Sequence, residues 1–299
     1  MSIVLVSTDF SEVSYEAVRH ARDIAKADGA TLALVHVVPK LAGVADQSML
    51  DWLRDKAPKA AEQEKLVRET LAGKAAELAE GGLLVATHLE EGEPPHAVIV
   101  ECAERIGANL IVIGSHGRTG IKRMLLGSVA EHVVRYAHCP VLVARSGPQS
   151  GPVVTGTDLS EAARPGLAEA ARLAASSGSE LHVFYVLNAG WFGHSGVGLS
   201  PAALAEAMSG SQAFTEANES LQREIDLATK GLSVKTVGKV TIGDAAAILV
   251  QHAEDVGARL VVTATHGRTG LRRALIGSVA ERIVRLSHTS VLVVRAPQK

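Results

Sequence analysis

Residues 116–145 read HGRTGIKRMLLGSVAEHVVRYAHCPVLVAR, and residues 266–295 read HGRTGLRRALIGSVAERIVRLSHTSVLVVR. Nineteen of these 30 aligned positions are identical, so the chain carries one unit twice. In the first copy the apolar run Leu110 to Ile113 leads into Gly114-Ser-His-Gly-Arg-Thr-Gly120, and Gly127 to Ala137 follows with helical spacing. Apolar run, glycine turn and helix make half of a βαβ unit.

Working outward, Ile3 to Val6, Thr31 to Val38, Leu83 to Leu89 and Val141 to Ala144 are further short apolar runs. Helical periodicity runs from Ser11, a candidate cap, to Asp28-Gly29, and again over Pro95 to Ile106. An Ala-rich segment from about Ser48 to Glu80 reads as helix, with an interruption expected near Pro58, because proline removes a donor. The second half repeats the order. Its strands are read at Val153 to Thr155, Leu181 to Leu187, Val234 to Val240, Leu260 to Thr263 and Val291 to Val294. Strands alternating with helices predict a doubly wound parallel sheet in each half. The domains are read as 1–146 and 153–299, with Gly147 to Pro152 as linker. Two features set the second half apart. Pro165-Gly166 should delay or distort its first helix, and residues 188–210 form a glycine-rich surface loop or a lid.

A chain of 299 residues suits two cores of about 150 residues each. With 47% hydrophobic and only 3% aromatic residues, those cores fall to Val, Ile, Leu and Ala. The formal charge of −2 offers no basic excess, which argues against nucleic acid as a partner. No apolar run approaches the roughly 20 residues of a membrane span, and the N-terminus lacks a leader pattern, so a cytoplasmic location is expected. The two cysteines, Cys102 and Cys139, show no metal-ligand spacing and read as reduced, buried thiols.

Ligands of doubly wound sheets sit outside the carboxyl ends of the strands, at the switch in strand order. Asp9 ends the first strand and Gly114 the fourth. Gly127 and Ser128 open a helix whose first N–H groups favour an anion such as phosphate. A second reading stays open: Ser128-x-x-Glu131 and Ser278-x-x-Glu281 fit a capping box, which would satisfy those groups without a ligand. Asp9 and Asp158 either bond a ribose or base or form Asx turns. His116, Arg118, His266 and Arg268 either flank a phosphate or are solvated loop groups. Neither GxxxxGK[ST] nor GxGxxG is present, since Gly114, Gly117 and Gly120 are spaced GxxGxxG.

Gly114-x2-Gly117-x9-Gly127-Ser128, with Asp9 ending the first strand, resembles the ATP-binding pattern of the universal stress protein family over essentially the whole chain, as two tandem domains. The resemblance implies a five-stranded parallel sheet in order 3-2-1-4-5 in each half. It places adenine beside Asp9 and Val37, and ribose and phosphates beside Gly114, Gly117, Gly127, Ser128 and Val129, with or without Mg²⁺. The matching positions in the second half are Asp158, Val186, Gly267, Gly277, Ser278 and Val279. Where the first copy has Gly114, the second has Ala264, whose methyl either crowds the ribose or phosphate or is absorbed if the backbone stays in the β region; with Pro165-Gly166 beside it, ATP is expected chiefly in the first half. The resemblance also implies that Pro140 to Arg145 pairs with Ser290 to Arg295, making one chain a pseudo-dimer. A further homodimer is compatible with the sequence, though no residue argues for it.

Three functions follow as expectations: a nucleotide-binding regulator of stress response without catalysis, a slow ATP hydrolase or adenylyl-transfer enzyme using His116 or His266, and a nucleotide-free scaffold. Catalysis is disfavoured. Beyond Asp9 no acidic residue stands at the strand ends to hold a metal, and Ser7-Thr8-Asp9 replaces the Ser-Gly-Gly-x-Asp loop of related ATP-cleaving folds.

Overall fold

The structure, a computed structural model, describes residues 2–38, 47–116, 126–187, 209–265 and 276–295, leaving aside the side chains of 47–61 and 63. Its first half runs β1 (Ile3–Ser7), α1 (Glu12–Asp28), β2 (Thr31–Val38), α2 (Gln47–Ala79), β3 (Val85–Glu91), α3 (Pro95–Ile106), β4 (Leu110–Gly114), α4 (Ser128–Tyr136) and β5 (Val141–Ala144). The second half has β6 (Val153–Thr157), α5 (Arg164–Ser176), β7 (Leu181–Leu187), α6 (Gln212–Ala228), β8 (Thr236–Ile242), α7 (Ala245–Asp255), β9 (Leu260–Ala264), α8 (Ser278–Leu286) and β10 (Val291–Val294).

All ten strands join one sheet in the order β3-β2-β1-β4-β5-β10-β9-β6-β7-β8. Each half therefore has the 3-2-1-4-5 order, with parallel pairing throughout and the switch point between β1 and β4 or β6 and β9. The one antiparallel joint is β5 with β10, where Leu142 faces Leu292, its own counterpart at the repeat offset of 150. The pseudo-twofold axis passes through that pair. The central strands are apolar runs because helices cover both faces. One core lies under α1, α2, α5 and α6, and a second under α3, α4, α7 and α8; each extends across both halves.

The joint is tied by a reciprocal device. Arg145 Nη2 donates to the Val284 carbonyl at 2.6 Å, and Arg295 Nη2 donates to Val134 O at 2.7 Å and Arg135 O at 2.9 Å. Each arginine thus caps the C-terminus of a helix in the opposite half, where the helix dipole favours a cation.

Three expectations need correction. The helix α2 runs through Pro58 without interruption, giving up one donor within a 33-residue helix. The strands β3 and β8 start and end two residues later than the hydrophobic runs that pointed to them. Leu83 is buried against the α2 side of the sheet before pairing begins, and pairing extends to Glu91 because β2 extends to Val38. The glycine-rich loop falls almost entirely outside the described residues. The Pro165 expectation holds: α5 starts at Arg164, whereas α1 starts at Glu12, whose counterpart at the Asp9/Asp158 offset of 149 is Glu161.

Candidate functional site

At the end of β1 the chain makes a tight turn. The Phe10 N–H donates to Thr8 Oγ1 at 3.1 Å, and the Ser11 N–H and Oγ donate to Asp9 Oδ1 at 3.1 and 2.6 Å. Ser11 in turn caps α1 by accepting from the Ser14 N–H. The Asx turn read from sequence is therefore present. It forces Phe10 into the left-handed region at φ 61, which costs on the order of 1–3 kcal/mol for a non-glycine residue. The His36 ring braces the turn, with Nδ1 2.7 Å from Thr8 O and its centroid 4.6 Å from that of Phe10.

The second half repeats this turn. The Leu159 N–H donates to Thr157 Oγ1 and the Ser160 N–H to Asp158 Oδ1, both at 3.0 Å, and Leu159 has φ 63. A strained residue held in the same place twice is a mark of function that the hydrophobic pattern did not show. The repeated Thr-Asp-x-Ser-Glu at 8–12 and 157–161 is the signal that carries it. The copies differ at one atom. Because α5 starts late, Ser160 is not its cap, and the Ser160 hydroxyl is buried without a partner among the described residues.

Across the switch point, β4 ends at Gly114, and the Gly127 N–H returns to donate to Ser115 O at 2.8 Å. The equivalent Gly277 N–H donates to Thr265 O at 2.6 Å. A side chain on Gly127 would meet Ser115 O and His116 Cα at 3.3 Å, and one on Gly277 would meet Thr265 O at 3.0 Å. Close backbone approach thus favours both glycines whatever binds nearby, since a Cβ would press on the neighbouring backbone.

The capping-box reading is overturned. The N-caps are Gly127 and Gly277, which have no side chain to cap with, and the Glu131 and Glu281 N–H groups donate to their carbonyls. Ser128 and Ser278 are the first helical residues, one position too late for a box. Helix geometry leaves the N–H groups of Ser128, Val129 and Ala130 without intrahelical acceptors. Glu131 turns instead to cations, Arg135 at 3.4 Å and Arg285 at 3.8 Å, while Arg135 lies 3.9 Å from Glu281. Two guanidinium groups thus offset the negative charge that Glu131 brings to this helix end.

Of the two readings of Ala264, the geometry favours absorption of its methyl. A side chain on Gly114 would point at Val13 of α1, 3.1 Å from Cγ1, and the Ala264 methyl lies against Gly166 of α5. This position faces a helix, and a glycine on that helix accommodates the methyl. Val37 and Val186 lie near the ends of β2 and β7, and Val129 packs on the second core while Val279 is exposed. Gly117, Arg118, His266, Gly267 and Arg268 lie outside the described residues. His116 is described, its Nδ1 3.0 Å from Ser115 Oγ. A cleft of about 660 Å³ opens between α1 and α5, at the opposite ends of the strands from Asp9 and Gly127. No helix among the described residues is long and apolar enough to cross a membrane. Both cysteines are free and buried, which pushes each thiol up to about 11.

The chain matches the model of the universal stress protein family over residues 1–145 and again over 150–295. A universal stress protein of Methanocaldococcus jannaschii is 42% identical over 48% of this chain and 81% of its own length. One from Mycolicibacterium smegmatis is 28% identical over 98% of this chain and 96% of its own. A solved Pseudomonas aeruginosa protein described as functionally unknown superposes over 99% of this chain and 93% of its own with a TM-score of 0.66 at 19% identity, which is a likeness of fold. With two matched domains and the duplicated turn, the chain belongs to the universal stress protein family.

Proposed function

We propose that each half binds an adenine nucleotide in the crevice between Asp9 and Gly127, or Asp158 and Gly277, and that binding regulates a stress response without catalysis. The observation that carries this reading is the start of α4 and α8 on a glycine, with first-turn N–H groups that no side chain of the cap residue occupies. Such a helix end takes the phosphates, since its partial positive charge and donors both favour an anion. The strained turn holding Asp9 supports the adenosine side, where a carboxylate can accept from a sugar hydroxyl. Val37 would line the base. In the second half Ser278, Val279 and Asp158 take the same roles, and the Gly166 accommodation of Ala264 removes the steric argument against it.

The nucleotide is written as ATP, with or without Mg²⁺. Among the described residues the crevice offers one acidic side chain per half at the strand end, so any Mg²⁺ would be held largely by the phosphates and water. The test is mass analysis of ligand released from denatured, freshly purified protein, followed by incubation of refilled protein with ATP and Mg²⁺. Released adenine nucleotide and no product above background are the expected results. Product accumulation would instead establish the hydrolase reading, and no nucleotide with no calorimetric binding the scaffold reading.

A further inference from the structure

His88 and Glu90 are two residues apart on β3 and share one face of that edge strand. Cys102 lies on α3 with its thiol at the same place. The imidazole, carboxylate and thiol ligand atoms all lie within 4.8 Å of one another, and His88 Nδ1 is 4.0 Å from Glu90 Oε1. Sequence spacing hid this group, because the thiol comes from another element.

We propose that His88, Glu90 and Cys102 bind one zinc-type divalent cation, with water in the fourth position. A sulfur, a nitrogen and an oxygen ligand together suit a borderline-soft ion that accepts tetrahedral geometry. Bonds of about 2.0–2.3 Å place ligand atoms about 3.3–3.8 Å apart, so the group closes by roughly 1 Å on binding. Cys102 is 2% exposed, whereas the His88 and Glu90 side chains are 22% and 26% exposed, so the cation enters past those two. The Arg105 guanidinium holds Glu90. Cation and Arg105 compete for one carboxylate.

Burial keeps His88 neutral, below its ordinary range, which leaves a lone pair for the metal. The Cys102 thiol, held up by burial and by Glu90, must ionise: the S–H bond breaks, an S–metal bond forms, and one proton leaves for solvent. The second half lacks the group. The β7 pairing places Lys239 and Thr241 where the β2 pairing places His88 and Glu90. Among the described residues one such site is therefore specified, independent of any nucleotide.

The test is a Co²⁺ titration of the untagged, reduced, full-length protein, followed by optical absorption. The expected result is one equivalent bound with a thiolate-to-cobalt charge-transfer band, displaced by Zn²⁺ and accompanied by release of one proton. The band should vanish in Cys102→Ser and weaken in His88→Gln, persist in Cys139→Ser, and appear at lower Co²⁺ in Arg105→Gln. Circular dichroism checks that each variant is folded; His88→Gln keeps the test open if Cys102→Ser does not fold. No charge-transfer band at stoichiometric Co²⁺, or a band that survives Cys102→Ser, would overturn the proposal.

Discussion

At the scale of single residues, the Ala264 methyl lies against Gly166, whereas the equivalent strand position of the first half, Gly114, faces Val13. The first half has Gly114 on the strand and Ala17 at the helix position equivalent to Gly166 by the offset of 149. A methyl on Gly166 would stand 3.0 Å from the Ala264 N and 3.1 Å from its Cβ, and overpacking of this kind costs about 1–3 kcal/mol. Gly166→Ala should therefore lower unfolding free energy despite the better helix propensity of alanine. Adding Ala264→Gly should recover part of the loss. Urea unfolding of the single and double variants measures the coupling, and additive effects would show that the two do not meet. The sequence showed that position 264 differs from 114, yet not which way its side chain points. Strand alternation and the packing of α5 against β9 decided that.

At the scale of elements, the joint between halves rests on Arg145 and Arg295 at the ends of β5 and β10. Arg145 is deeply buried, which lowers its pKa to about 10, and its Nη1 has no partner among the described residues. Its hydrogen bond to Val284 O is still charge-assisted, a class worth roughly 1.5–3 kcal/mol, so Arg145→Ala should destabilise by about that amount in urea unfolding. Several histidines add a pH dependence. Burial chiefly holds His20, His88 and His252 below their ordinary pKa of 6.5. Between the folded and unfolded pKa the unfolded chain binds more protons, so stability rises with pH across that window and levels off above about 6.5. Unfolding at pH 5 should therefore need less urea than at pH 7.5, and His252→Gln should shrink the difference. The strands and the helices among the described residues were legible because apolar runs and caps are local, whereas the strand order came from the family resemblance. The capping box was misread because the cap lies one residue earlier than the serine: Gly127 N–H bonds back to Ser115 O, a contact across a loop that no local pattern encodes.

At the scale of the whole molecule, duplication builds two crevices into one sheet, related by the axis through Leu142 and Leu292. The central claim is that the glycine-started helices α4 and α8 hold phosphates. Glutamate at the first helical position strengthens a helix through its dipole but repels an anion there, so Ser128→Glu and Ser278→Glu separate folding from binding. Both serines are exposed. The most direct measurement is calorimetric titration with ATP of ligand-free protein and these variants. The account predicts two equivalents for the natural chain, one for each single variant and none for the double, with thermal stability kept. Full binding in the double variant would contradict it.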